Sequence, residues 1–313
     1  MTNILVIGGS GLVGRILIKK TKDIAKVYAT YNTTIINLEG AKFYQLDVRD
    51  ANRVNELMKE IQPDIVINAA AKRNTGYCEK NPDEAYKVNV EGTKNIVNAC
   101  KTINVKMVFI SSSLVFDGTK GKYSEDDELN PLNTYGKQKV MAEKIIKDNL
   151  NNWLIIRASY IYGWFRGSDN FVTWVIENLK SGREIQISYD QFVTPIHVEN
   201  FVDILVKLLE KDKSGIYHVG EGECLSKYEF VKRIKETFRF DEAIIKPISS
   251  EALNSNTVKP KNNCLDLNKI KNELDFSKYN IKNGLEIMKE EGIGLQTPII
   301  SDKQKEEKEG KYK

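Results

Sequence analysis

The chain has 313 residues, 41% apolar and 29% charged, which is the balance of a globular protein and excludes a disordered or fibrous one. A net charge of +4 from 47 basic and 43 acidic residues, with no basic block or aromatic-interleaved stripe, carries no nucleic-acid footprint. No apolar run approaches the roughly 20 residues of a membrane span, and the N-terminus lacks a signal-peptide layout, so the cytoplasm is the expected compartment.

Residues 4–7 form a short apolar run that stops at Gly8-Gly9-Ser10-Gly11-Leu12-Val13-Gly14, and a helical pattern through Leu12, Ile16 and Leu17 follows. This is strand, glycine turn, helix. Such a turn lets the backbone approach a pyrophosphate and packs helix closely on strand, with helix amides facing the phosphates. Gly8, Ser10, Gly11, Leu12, Val13 and Gly14 are therefore candidate dinucleotide contacts. A second strand, residues 26–31, ends in Thr30-Tyr31-Asn32-Thr33-Thr34, with no carboxylate between Asp23 and Glu39 to hold a ribose 2′-hydroxyl. That points to NADP(H) in preference, with NAD(H) possible. Asn32 stands at the strand end, and Arg15 is either a 2′-phosphate ligand or a surface arginine.

Residues 41–46 read as a third strand ending at Asp47-Val48, too close to the second for a crossover helix. Residues 51–61 read as a helix with Val54, Leu57, Met58 and Ile61 on one face. A fourth strand, 65–67, runs into Asn68-Ala69-Ala70-Ala71, whose small side chains let the backbone lie against a flat ligand. Residues 82–104 read as one long helix, in which the amide of Asn89, flanked by valines, is placed to bond another loop's backbone and also to steady the Lys139 ammonium through a carbonyl or water. The fifth strand, 106–110, ends in Ser111-Ser112-Ser113. Open parallel sheets bind ligands at the carboxyl ends of their strands, and a hydroxyl there can stabilise a developing oxyanion.

After a polar, proline-containing loop comes Tyr135-Gly136-Lys137-Gln138-Lys139. On a helix Tyr135 and Lys139 share a face. An ammonium beside a phenol favours the phenolate and lowers a reference pKa of about 10 toward neutrality. Tyr135 can then exchange a proton with a sugar or alcohol oxygen while a hydride moves at the adjacent carbon.

Residues 153–157 are a sixth strand. Beyond it the pattern breaks into an aromatic loop (160–166), helices at 170–180, 199–209 and 226–238, and strands at 184–188 and around 216–219. The expected fold is α/β, a doubly wound parallel sheet of Rossmann type with a smaller C-terminal α/β substrate lobe. The dinucleotide-binding domain is expected at 1–158 plus returning segments at roughly 190–220, the lobe at 159–189 and 221–300, and a disordered charged tail at 301–313. The four cysteines, Cys78, Cys100, Cys224 and Cys264, lie far apart with no C-x-x-C pair, and the only histidines are His197 and His218. Free thiols and no metal site are the expectation.

Through Gly8-x-x-Gly11-x-x-Gly14, Asn68-Ala69-Ala70-Ala71, serines 111–113 and Tyr135-x-x-x-Lys139, the chain resembles the extended short-chain dehydrogenases/reductases over residues 2–288. Within them it is most similar to the dTDP-4-dehydrorhamnose reductases. The pieces that carry this are Val115-Phe116-Asp117-Gly118, Arg157-Ala158-Ser159-Tyr160-Ile161-Tyr162-Gly163, Asp190-Gln191-Phe192-Val193-Thr194-Pro195 and Leu265-Asp266. The resemblance implies catalytic roles for Ser112, Tyr135 and Lys139, and substrate contacts around Ser113, Tyr160, Asn170, Asp190, Gln191 and Pro195. Candidate cofactor contacts extend to Asp47, Val48, Ala69, Ala70, Ala71 and Asn89. The chain departs from the family's pattern at Ser113-Leu114, at Tyr160 in place of a tryptophan, at Ile196-His197, and at the basic pair Lys72-Arg73.

By that resemblance the expected function is NAD(P)H-dependent reduction of the C4 ketone of a nucleotide-linked 6-deoxy-4-keto sugar, as in dTDP-L-rhamnose synthesis. Two alternatives stay open. One is a sugar-nucleotide epimerase; the other is a non-catalytic NADP-binding regulatory subunit similar to that of methionine adenosyltransferase. The expected partner is the nucleotide-sugar substrate, without nucleic acid or membrane, and with a homodimer possible.

Overall fold

The computed structural model describes residues 1–34, 36, 38–165, 170–253 and 257–295; the charged tail and Arg166 of the aromatic loop lie outside the described residues. The first half alternates as its apolar runs dictate: β1 (Thr2–Ile7), α1 (Leu12–Thr21), β2 (Ala25–Tyr31), β3 (Ala41–Gln45), α2 (Ala51–Ile61) and β4 (Ile65–Asn68). The chain continues through α3 (Thr75–Lys80), α4 (Pro82–Tyr86), α5 (Gly92–Ile103), β5 (Lys106–Ser112), α6 (Thr134–Asn149) and β6 (Trp153–Ala158). Helix α2 shows how local the causes are. Asp50 caps it by accepting from the Arg53 amide, Val54, Leu57, Met58 and Ile61 are its buried stripe, and Gln62 ends it in the left-handed conformation.

The expected long helix at 82–104 is continuous but not uniform. Between α4 and α5 the residues Lys87–Glu91 form a π turn. The buried Asn89 amide sits in it, accepting from the Lys72 amide at 2.8 Å and donating to the Lys72 carbonyl at 3.0 Å and to Gln138 Oε1 at 2.7 Å. Single π turns of this kind are frequent at functional sites, and this one presents a buried amide to the Lys72 backbone and to α6.

The second half contributes β7 (Ile161–Tyr162), α7 (Phe171–Lys180), β8 (Ile185–Ser188), β9 (Phe192–Val193), β10 (Ile196–His197), α8 (Val198–Glu210) and β11 (Gly215–Val219). After these come β12 (Leu225–Ser226), α9 (Lys227–Phe238), β13 (Ile245–Ile248), α10 (Asn268–Glu273) and α11 (Ile281–Leu295). The main sheet has seven parallel strands in the order β11-β6-β5-β4-β1-β2-β3. Both its faces are covered, which is why its central strands read as unbroken apolar runs. Ile4 and Val6 of β1 point to one side, against Leu17 of α1 and Phe201 of α8. Leu5 and Ile7 point to the other, against Val54 and Leu57 of α2 and Ile96 of α5.

A separate core gathers part of the second half. Helices α7, α9 and α11 pack around the parallel pair β8–β13, with Val175, Phe230 and Leu285 buried among them. The switch from β1 to β4 in strand order places the glycine turn at the carboxyl edge of the sheet, where this second layer also ends. Among the described residues no helix is long and apolar enough to cross a membrane.

One expectation fails. Cys224 and Cys264 form a disulfide, with Cα atoms 5.5 Å apart, and only Cys78 and Cys100 are free, both buried. Forty residues separate the pair in sequence, so no spacing could reveal it. The strand Phe192–Val193 brings them together, since Val193 pairs with Leu225 on one side and Phe192 with Asn262 on the other. Closing a loop of this length stabilises a fold by about 2–4 kcal/mol. Urea unfolding of the wild type is therefore expected to shift to lower denaturant with dithiothreitol, whereas Cys224→Ser is expected to unfold at that lower midpoint with or without it; coincident wild-type curves would count against the bond.

Candidate active site

A cavity of about 440 Å³ opens at the carboxyl edge of the sheet, between the glycine turn and the second core. Its floor is the turn itself. Gly8, Gly11, Leu12, Val13 and Gly14 line it, with Ala69 and Ala71 opposite. A Cβ on Gly14 would lie 2.5 Å from the Gly8 carbonyl oxygen, so only glycine lets α1 start this close to β1. Gly11 caps α1 in extended conformation without any side-chain bond, and the amides of the first helical turn are left for a ligand. This cradle fits the pyrophosphate of a dinucleotide. At the end of β2, Thr30 accepts from the Gly8 amide at 3.1 Å, and Asn32, whose carbonyl accepts from Gln45, is followed by no carboxylate through Thr34.

The centre of the cavity is formed by Ser111, Ser112, Tyr135 and Lys139. Three contacts place α6. Asn133 caps it by accepting from the Gly136 amide at 2.9 Å. Gly136 lies so close to the Leu114 carbonyl that a Cβ there would stand 2.2 Å from its oxygen. Deeper in, Glu143 accepts from Ser111 Oγ of β5 at 2.5 Å and forms a buried ion pair with Arg157 of β6 at 2.7 Å. Nothing in the local sequence signals this cluster, because Glu143, Arg157 and Ser111 come from three elements. Ser112 Oγ accepts from the Leu114 amide at 3.1 Å, which leaves its proton for a ligand.

The proton chemistry differs from the sequence expectation. Burial pushes the Tyr135 phenol well above its ordinary value, and Lys139 does not pull it down. The Lys139 Nζ donates to the Ile110 carbonyl at 2.7 Å and lies 4.3 Å from the Phe109 ring centroid. Burial also lowers Lys139 to about 8, opposed by Glu143. Tyr135 is thus held protonated at neutral pH, which suits an acid. The amide of Asn89 is spent on the Lys72 backbone and Gln138.

The lobe end of the cavity carries Tyr160, Asn170, Gln191, Lys227, Lys259 and Asn263. Several expected contacts stand elsewhere. Ser10 offers its carbonyl to Arg15 Nε, and the Arg15 guanidinium lies over the Phe165 ring, 5.0 Å from its centroid. Asp47 is spent on Arg49, and the Val48 carbonyl accepts from Asn95. Ala70 turns its amide to Asn68. Asp190 accepts from the amide and hydroxyl of Ser250, Pro195 takes the Glu221 amide, and Ser113 accepts from Asn263. Among the described residues no carboxylate lines the cavity, whereas Arg73, Lys139, Lys227 and Lys259 do. The last two escaped sequence reasoning, since each is a lysine in an ordinary polar stretch.

The family described as RmlD substrate binding domain matches residues 1–292. A probable low-salt glycan biosynthesis reductase of Haloferax volcanii is 29% identical, over 90% of this chain and 95% of its own. The methionine adenosyltransferase 2 subunit beta of Bos taurus is also 29% identical, over 85% and 81%. Among solved structures, a dTDP-4-dehydrorhamnose reductase from Bacillus anthracis in complex with NADP superposes with a TM-score of 0.81 at 27% identity, covering 93% of this chain and all of that one.

Removing one member of a buried ion pair strands the other charge, a loss of about 3–5 kcal/mol. Arg157→Met is expected to lose that much in urea unfolding, and the double variant Arg157→Met/Glu143→Gln is expected to regain part of it.

Proposed function

Because this chain belongs to the RmlD substrate binding domain family, we propose that it uses NADPH, or NADH, to reduce the C4 ketone of a nucleotide-linked 6-deoxy-4-keto sugar. The observation that carries this reading is the meeting of Ser112, Tyr135 and Lys139 with the glycine cradle in a single cavity. The nicotinamide, when bound, supplies the hydride. The first-turn amides of α1 would hold the dinucleotide's pyrophosphate, with Ala69 and Ala71 after β4 on the same cavity wall. Ser112 donates its free proton to the ketone oxygen and Tyr135 protonates that oxygen as charge develops. Lys139 supplies the positive charge beneath them.

The lack of a carboxylate at Ser113 and Leu114, and along the described cavity wall, removes the acid/base pair that an elimination of water requires. The lack of one after β2 favours NADPH. A non-catalytic cofactor-binding subunit is the second reading, favoured by the equal identity to the bovine subunit beta.

NADPH oxidation followed with a dTDP-4-keto-6-deoxy sugar is expected to proceed in the wild type and to fall by about 10²–10⁴-fold in Tyr135→Phe. The wild-type rate is expected to decline as pH rises through about 8, where Lys139 loses its charge. Tight NADPH binding without turnover on any 4-keto sugar nucleotide would transfer the weight to the subunit reading.

A further inference from the structure

Three strips of chain form the lobe wall of the cavity. The middle one is β9 with the residue before it, and Gln191 and Val193 line the cavity there. On one side the junction of β12 and α9 contributes Lys227, and on the other the strip 257–264 contributes Lys259, Pro260 and Asn263. The pairings between them are minimal: Leu225 and Ser226 with Val193 and Phe192, and a lone bridge from Phe192 to Asn262. Strand pairs this short are marginal by themselves.

The strip 257–264 stands apart from the apolar cores, since none of its residues enters one. Hydrogen bonds hold it instead, among them Asn262 N–H to the Gly118 carbonyl at 3.0 Å and Asn263 N–H to the Phe192 carbonyl at 2.9 Å. Asn263, 4% exposed, donates through Nδ2 to Ser113 Oγ at 2.7 Å and has no partner for its Oδ1. The position of the strip therefore decides where a buried acceptor stands on the cavity wall. At its end the Cys224–Cys264 bond ties the strip to the residue before β12.

That bond is open to chemistry from one side. Cys224 is half-buried and Cys264 is fully buried, so an incoming thiolate meets Cys224 first. Accessible disulfides are the ones that exchange. The two remaining cysteines do not compete, because burial pushes the Cys78 thiol up to about 11 and the Cys100 thiol up to about 12. Both stay protonated and inert.

We infer that the Cys224–Cys264 pair is a redox-sensitive clasp on the lobe wall. Oxidised, it fixes the strip that carries Asn263 for substrate binding; reduced by an external dithiol, it releases the strip and weakens that binding. One thiolate of the dithiol attacks Cys224 Sγ, the Cys224–Cys264 bond breaks, and Cys264 leaves as a thiolate that takes up a proton. The second thiolate then attacks the dithiol's own sulfur in the mixed disulfide, and Cys224 leaves in the same way. Two electrons and two protons pass to the cysteine pair, and the dithiol becomes a disulfide. The clasp deepens the reductase reading, on which only its kinetic test rests.

The test compares the full chain before and after dithiothreitol, with alkylation and mass spectrometry reporting the state of the pair. Reduction is expected to raise KM for a dTDP-4-keto-6-deoxy sugar by about two- to tenfold, the range for ordering one wall side chain on binding. The change in kcat is expected to be smaller, and reoxidation with diamide is expected to restore KM. Cys224→Ser is expected to show the raised KM with or without dithiothreitol; should that variant not fold, the reversal in the wild type carries the test. Equal KM in the two states, or a dithiothreitol effect that persists in Cys224→Ser, overturns the clasp and keeps the reductase reading. A pair that excess dithiothreitol does not open in the native protein also overturns it. If the protein reduces no ketone, the reductase reading falls and amide hydrogen exchange decides the clasp: faster exchange across 257–264 in the reduced chain supports it, and identical exchange overturns it.

Discussion

The buried carboxylate of Glu143 is the constraint on which the site depends. It is fully covered, and it is satisfied by Arg157 on β6 and by Ser111 on β5. A charge in that position tolerates neither a slip of α6 along the sheet nor a rotation about its axis, because either would leave it unpaired. One helical turn before it stands Lys139, and one turn before that Tyr135. The ion pair therefore sets where phenol and ammonium meet the strand ends, while the Gly136 contact and the Asn133 cap hold the other end of the same stretch.

Burial also decides the charge states in the cavity. Tyr135 and Lys139 are both withdrawn from water, so the phenol is driven up and the ammonium down. Each moves toward its neutral form, which for the phenol means that it keeps its proton. At the lobe end the same withdrawal has the opposite outcome for Tyr160, because two lysines face it. The cavity thus couples a protonated phenol at the sheet with a positive field at the lobe, and anionic ligands suit both the glycine cradle and the lysines.

The layers support this arrangement by different means. The main sheet is stabilised by apolar cores on both faces, one with α1 and α8 and the other with α2, α5 and α6. The lobe wall depends on shorter pairings, β9 with β12 and Phe192 with Asn262, and the Cys224–Cys264 bond closes that seam. Asn263, whose free acceptor faces the cavity, is held one residue from the bond.

Much of this was legible from residues alone. Local periodicity records which face of a segment meets a core, so β1 to β6, the stripe of α2 and the glycine turn could be read in order, and the Tyr135–Lys139 spacing picked out two side chains that line one cavity. The seven-stranded order confirms the alternation that those runs implied. What periodicity cannot record is a contact between distant segments. The partnership of Glu143 with Arg157, the disulfide, the commitment of Asn89 to Lys72, and the convergence of Lys227 with Asn263 each join residues that only the folded chain makes neighbours. Protonation followed the same rule: spacing put an ammonium near a phenol, but the depth of the site and the turn of Lys139 toward Ile110 determined that desolvation prevails.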